Sequence, residues 1–162
     1  MFRKVEDFVE TWKTESKATL RVFSALRDES LSQAVEPGGY TLGSLASHIA
    51  GSIVAIPAHA GLLPMPEKAA TPTTVAAIIA SYEQNAKQVA DAVAEKWSDA
   101  QLGEEIPAFG RSFRRGALLA MVVAHQGHHR AQMMVLMHQA GLTVPGVYGP
   151  SEADKAKLAA KK

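Results

Sequence analysis

The sequence predicts an all-α protein built as a four-helix bundle, and three observations lead to this fold class. Four long segments carry apolar residues at spacings of three and four, which is the period of an amphipathic helix. Clusters of glycine and proline, which favour turns, separate these segments. No stretch of useful length alternates between apolar and polar residues as a half-buried strand does. Four amphipathic helices bury their apolar stripes most simply against one another, as a bundle.

The first helix is predicted from about Val5 to Ala34, and the glycines and proline of Glu36–Tyr40 end it in a turn. The second helix is predicted to begin at Thr41, which is suited to be its N-cap, and to kink or end at Pro57. Many of its residues are small, so a neighbouring helix can approach closely. A linker follows, from Gly61 through Pro66 and on past Thr71.

The third helix is predicted from about Thr73 to Trp97, and the fourth from about Phe113 to Gln139, with Gly141 as the residue that ends it. The segment between them, residues 98–110, is predicted to be irregular. Residues 142–150 are rich in turn formers, and Ser151 is placed to begin a short terminal helix. The whole chain, residues 1–162, is predicted to be a single domain whose last 20 or so residues form an extended tail.

Composition excludes several classes of function. The formal net charge of +1, without a basic stripe, argues against a nucleic-acid partner. The chain has no cysteine, so a transition metal would need histidine, carboxylate or water as ligands. Neither a signal peptide nor a stretch of about 20 uninterrupted apolar residues is found, which predicts a soluble, cytoplasmic protein without a membrane partner.

The fourth helix contains two histidines, His125 and His129, that are spaced by one helical turn. They are predicted to point into the bundle, where each imidazole needs a partner for one donor and one acceptor. A shared metal ion meets that need, and His48 of the second helix is the best third ligand. The competing interpretation is that they are core histidines satisfied by hydrogen bonds. The remaining histidines are assigned surface, capping or outer roles: His59, His128 and His138.

Three motifs together resemble the DinB/YfiT-like superfamily, and the likeness covers nearly the whole chain in order. They are the segments Thr41–Ala50, His125–Gln132 and Val144–Pro150. The resemblance implies a four-helix bundle of up-down-down-up topology and one divalent transition-metal ion per subunit. It carries the family's ligands onto His48, His125 and His129. The superfamily is unrelated to the lesion-bypass polymerase of similar name.

A three-histidine site leaves a coordination position for water or substrate, which is typical of a catalytic metal. The resemblance favours thiol-dependent transferase or isomerase chemistry on a small molecule, in which a low-molecular-weight thiol on the metal attacks an electrophile. The alternatives are a metal-dependent hydrolase of a small amide or ester and a non-catalytic, metal-binding, stress-associated dimer. Zinc or nickel is expected ahead of iron or manganese. No general base is identified, Gln132 is interpreted as a buried amide ahead of a cavity-lining one, and Tyr148 is expected to pack on the bundle.

The fourth helix has a second apolar face, and this face predicts a homodimer. Gln126 and Arg130 lie on it among several apolar side chains: Leu119, Val122, Val123, Met133 and Met137. If one face fills the bundle, the other needs a cover, which a second subunit supplies. The alternative is that the first and third helices cover both faces within one chain.

Overall fold

The computed structural model describes residues 1–67 and 72–160. Within these residues the protein is mostly helical, with five α-helices and one β-hairpin. The elements in chain order are α1 (Val5–Phe23), α2 (Leu42–Ala58), α3 (Val75–Lys96), β1 (Glu105–Ala108), β2 (Arg111–Arg114), α4 (Arg115–Gln139) and α5 (Glu152–Ala159). The linker predicted after α2 runs through residues 68–71, which lie outside the described residues.

The four long helices, α1 to α4, surround one connected hydrophobic core. Helix α2 packs on α3 and α4, and α1 packs on the same two helices. Trp12 of α1 is buried against Phe8 and donates its indole N–H to the backbone oxygen of Ala86 on α3, at 2.9 Å. Among the described helices, none combines the length and the hydropathy that crossing a bilayer requires.

The N-terminus of α2 is fixed by a capping box, as Thr41 predicts. The Thr41 hydroxyl accepts from the Ser44 backbone N–H at 3.1 Å, and the Ser44 hydroxyl accepts from the Thr41 N–H at 2.8 Å. These bonds satisfy two backbone donors that a helix end otherwise leaves unpaired. His48 lies two helical turns beyond Thr41, on the helix that this cap begins.

We expect Thr41→Ala to lower the free energy of unfolding by about 1 kcal/mol, since the cap donor loses its acceptor. Urea denaturation followed by circular dichroism measures this difference. The matched control is Thr73→Ala, because Thr73 is an exposed threonine just before α3 whose neighbour Thr74, not Thr73 itself, is the N-cap. Equal losses in the two variants would contradict a specific capping contribution at Thr41.

Helix α1 is shorter than the sequence predicts, because it ends at Phe23 and the chain unwinds before a single 3-10 turn at Asp28–Ser30. The backbone beyond this turn is used to hold the start of α2. Leu42 donates its N–H to the Gln33 oxygen, and Gly43 donates to the Leu31 oxygen, both at 2.9 Å. Residues predicted as the last turns of the first helix therefore form hydrogen bonds to the start of the second helix.

The region predicted to be irregular before α4 contains an antiparallel hairpin, in which β1 pairs with β2. Each strand has four residues, too few for alternation to be visible in the sequence. Phe109 and Gly110 form the turn, and both have positive φ, at 52° and 73°. This is the backbone that a two-residue hairpin turn prefers, but phenylalanine is not among the residues that normally indicate it.

The other helix ends agree with the sequence. Gly141 follows α4 with a φ of 68°, the left-handed conformation of a residue that ends a helix. Ser151 caps α5, its hydroxyl accepting from the Asp154 backbone N–H at 3.2 Å.

The second apolar face of α4 is covered within the chain. Its largest members are buried, and Gln126 and Arg130 make hydrogen bonds to α1 and α3. The structure therefore agrees with the alternative prediction, in which α1 and α3 cover this face. The homodimer stays a prediction, although the face that led to it is not free.

Candidate metal centre

Three histidines come together where α2 packs on α4. His48 projects from α2, and His125 and His129 project from successive turns of α4. One ring nitrogen from each side chain can be chosen so that all three nitrogens lie within 4.8 Å of one another. The three residues predicted from the sequence are therefore the three that the fold assembles, and they can hold a metal ion.

The spacing of the nitrogens fits a shared ion. His48 Nε2 and His125 Nε2 are 3.1 Å apart. Two nitrogen ligands of a tetrahedral zinc ion, with bonds of about 2.0–2.1 Å, lie roughly 3.3–3.4 Å apart. The His129 ring is close to both others, with ring centroids 4.5 Å from those of His48 and His125. The donor set is all nitrogen, which suits a borderline-soft divalent ion.

The protonation of the site also favours a metal. Burial holds the pKa of the His48 side chain below its ordinary value, and the neighbouring His129 lowers it further. The pKa of His125 is lowered by burial first and then by His129, His48 and His128. A lowered pKa keeps an imidazole neutral at neutral pH, so its lone pair is available to a metal.

Gln132 fixes the orientation of the His129 ring. Its side-chain oxygen lies 2.8 Å from His129 Nδ1. Because a carbonyl oxygen can only accept, this contact favours the tautomer with the proton on Nδ1, which leaves Nε2 for a metal. Gln132 is exposed, so the expectation of a buried amide does not hold. Its contact is instead the kind that commonly orients a metal-binding histidine from outside the ligand set.

The site lies at the surface and not in the interior that the sequence predicts. His48 is exposed, and His125 and His129 are half-buried. The reason is rotational, since the most deeply buried polar residues of α4, Gln126 and Arg130, follow each histidine by one residue and thus lie about 100° farther round the helix. The triad consequently faces the edge of the α2–α4 contact, where a small molecule can reach it.

A second polar cluster occupies the interior between α1 and α4. Arg130 is 1% exposed and donates to the Glu15 carboxylate at 2.8 Å, to the Glu15 backbone oxygen and to the Thr19 hydroxyl. The Tyr148 hydroxyl, from the segment after α4, accepts from Arg130 and donates to Glu15 at 3.0 Å. Tyr148 contacts the helices through its hydroxyl but is 77% exposed, so it does not pack on the bundle as expected. The contacts of the Arg130–Glu15 ion pair join three parts of the chain.

This cluster continues through Gln126, which is 0% exposed. Its side-chain oxygen accepts from Thr19 at 3.2 Å and from the Tyr82 hydroxyl on α3 at 2.8 Å. Sequence reasoning placed Gln126 and Arg130 on an apolar face but missed their partners. The available signal was Glu15 and Thr19, two polar residues one turn apart inside the apolar stripe of α1.

The three other histidines lie outside the ligand cluster, as the sequence predicts. His59 is the C-cap residue of α2 and contacts Phe109, with ring centroids 4.4 Å apart and the ring planes inclined at 51°. His138 is exposed in the last turn of α4. His128 is exposed and lies beside His129, with ring centroids 4.9 Å apart.

Comparison with known proteins agrees with this architecture. The sequence profile described as "DinB family" matches residues 1–161. The chain is 38% identical to "Uncharacterized protein YrdA" of Bacillus subtilis (strain 168) over 160 residues, 98% of this chain and 96% of that protein. A solved DinB-like protein from Bacillus cereus ATCC 10987 superposes with a TM-score of 0.86 at 39% identity, covering 91% of this chain and all of that one. The DinB-like protein YjoA of B. subtilis shares the fold, with a TM-score of 0.70 at 19% identity over 87% of this chain and 96% of that one.

Proposed function

The chain belongs to the DinB family, and on that premise we propose that it is a small metal-dependent enzyme whose divalent transition-metal ion is held by His48, His125 and His129. The observation that carries the proposal is the convergence of these three imidazoles at an accessible edge of the α2–α4 contact. Structural zinc sites usually have four protein ligands, whereas catalytic sites have three and an open position. All-nitrogen ligation favours zinc or nickel. We further propose that α1 to α4 form the four-helix bundle of up-down-down-up topology.

The reaction proposed is thiol-dependent transfer or isomerisation on a small molecule. A divalent ion in such a site lowers the pKa of a bound thiol or water and polarises a carbonyl. A free thiol has a pKa of about 8.5, far below that of water, so a thiol needs much less help to become a nucleophile. Among the described residues, the cluster of ligands contains three imidazoles. Such a donor set can activate water as well as a thiol, so the preference for thiol chemistry rests on the resemblance to the DinB/YfiT-like superfamily.

The protein's own residues contribute orientation and access. Gln132 engages Nδ1 of the His129 ring and leaves its Nε2 for a metal. Partial desolvation of the rings and the neighbouring imidazoles lower the pKa of His48 and His125, which favours their neutral forms. The exposure of His48 leaves the site open to a thiol and its electrophile. These features support a catalytic site over the non-catalytic metal-binding dimer, which needs no open position.

Elemental analysis of tag-free protein tests the metal site. We expect about one equivalent of a transition metal per chain in the wild type and almost none in His48→Ala or His125→Ala, since each variant leaves only two ligands. His138→Ala is the matched control, because it removes an exposed histidine from the same helix as His125. Wild-type protein that neither contains nor takes up metal would overturn the proposal.

Thiol chemistry is tested separately with the loaded wild type. Conjugation of cysteine or glutathione to 1-chloro-2,4-dinitrobenzene is followed by absorbance, with His125→Ala as the blank. A metal-dependent rate above this blank supports transfer. A loaded enzyme that instead hydrolyses p-nitrophenyl acetate in the absence of thiol would favour the hydrolase.

A further inference from the structure

A cavity of about 700 Å³ lies between the loop before α2 and the helices α2 and α4. Its volume is within the range of about 300–1,000 Å³ that is typical of small-molecule sites. The lining is mainly apolar, from Val35, Tyr40, Leu45 and Leu136. Two of these are among the most exposed large apolar residues of the described chain, Val35 at 70% and Tyr40 at 64%. A ligand in the cavity would remove that apolar surface from water.

The loop that forms one wall is held at its base. Ala34 and Thr41 pair as an isolated antiparallel bridge, which brings the two ends of the 35–40 segment together. Inside the loop, Gly39 donates its N–H to the Glu36 oxygen at 3.0 Å, and Gly38 has a φ of 79° that suits glycine. The wall is therefore formed before a ligand arrives, which lowers the entropic cost of binding.

The cavity and the histidine cluster are linked by one residue, Gln132. This residue lines the cavity and also accepts the hydrogen bond from His129 Nδ1. Its oxygen is used by His129, so its amide NH₂ is the end that can donate to a ligand. Leu45, on the opposite wall, lies one turn before His48 on α2. A molecule in the cavity can thus contact the residue that hydrogen-bonds to His129.

The charge of the cavity indicates what kind of molecule fits it. Of the described residues that line it, Glu36 alone carries a charge. The Ser44 hydroxyl also lines the cavity, but it is engaged in the capping box of α2. A ligand therefore meets apolar walls, one amide donor near the histidines and one carboxylate. A protonated amine on an apolar body complements this arrangement, and a carboxylate-bearing molecule does not.

We infer that this cavity binds the second substrate of the enzyme, a small and largely apolar molecule that carries a protonated amine, with the amine at Glu36 and the apolar body against Tyr40, Leu45 and Leu136. The role of this molecule as a substrate rests on the proposed function. Its binding to the cavity needs no metal, so binding and catalysis can be tested separately.

The test uses three matched probes, 4-phenylbutylamine, 4-phenylbutanol and 4-phenylbutyrate, titrated into metal-free protein and followed by methyl and amide NMR shifts. We expect shifts at Leu45 and Leu136, and an affinity for the amine about two- to fivefold above that for the alcohol, the size of a solvent-accessible charge pair. The acid should bind more weakly than the alcohol.

Glu36→Gln should abolish the preference for the amine and leave the alcohol unchanged, because it removes the charge and keeps the shape. Glu29→Gln is the control, since Glu29 is an exposed carboxylate of the preceding segment that does not line this cavity. Equal affinity for all three probes, or an unchanged preference in Glu36→Gln, would overturn the amine assignment. Shifts confined to another surface would overturn the site. Amine binding in a protein that never takes up metal would sustain this inference while the proposed function fails.

Discussion

Arg130→Met is expected to lower the free energy of unfolding by about 3–5 kcal/mol, the largest effect of any single change considered for this chain. The substitution keeps most of the side-chain volume but leaves the Glu15 carboxylate, 7% exposed, without its cation. It also removes the donor to the Thr19 hydroxyl and the contact with Tyr148. In a chain of this size the loss corresponds to a fall in Tm of roughly 10 °C.

Urea denaturation measures the free energy of unfolding of Arg130→Met and of Lys87→Ala. The comparison shows how much of the loss depends on the burial of the ion pair. Lys87 also forms an ion pair, with Asp91, but both partners are exposed, and its loss should leave the free energy of unfolding almost unchanged. The double variant Glu15→Gln/Arg130→Met removes both charges and should recover a large part of the stability. A double variant as unstable as the sum of the two single changes would mean that the pair itself contributes little.

The site could be predicted from the sequence because its signal is local. His125 and His129 are one helical turn apart on a segment whose type is unambiguous, so helix geometry alone places them together. The partnership with His48, 77 residues away from His125, depended on its small-residue helix and on the resemblance to the family. The fold then supplied the distances.

The depth of the site could not be predicted in the same way. Rotating α4 by one residue decides whether His125 or Gln126 faces the core, and both lie in a helix that is apolar over much of its surface. What decides the rotation is the position of Glu15 and Thr19 on α1, which bind Arg130 and Gln126 from more than a hundred residues away in the chain. Such pairings are a property of the tertiary structure, and local periodicity does not contain them.

The structures of the segments before α2 and before α4 could not be predicted from local sequence either. The 28–34 stretch has the composition of a helix end, yet its backbone groups at Leu31 and Gln33 bind the first turn of α2. The hairpin before α4 is too short to show a period, and its turn uses Phe109 where asparagine or aspartate would have indicated it. In both places a tertiary contact overrides a weak local preference.

Gln132→Ala is expected to weaken metal binding about 10- to 100-fold without removing a ligand, which is the usual effect of losing the group that orients a metal-bound histidine. In the wild type the Gln132 oxygen selects the tautomer of His129 in which Nδ1 carries the proton and Nε2 is free. Without that acceptor the ring can rotate and populate the other tautomer, and part of the binding free energy is used to restore the productive one.

Competition with a chelator of known zinc affinity measures the change, and nitrogen-15 NMR of the metal-free protein gives a readout that does not depend on metal. The wild type should show His129 predominantly protonated at Nδ1, and Gln132→Ala a mixture of tautomers. Gln132→Glu retains an acceptor and should preserve both the tautomer and the affinity. Gln139→Ala is the control, since Gln139 is exposed two turns later on the same helix and ends it away from the triad. If Gln132→Ala kept both the wild-type tautomer and the wild-type affinity, the contact would be incidental, and the packing of α2 against α4 alone would orient the His129 ring.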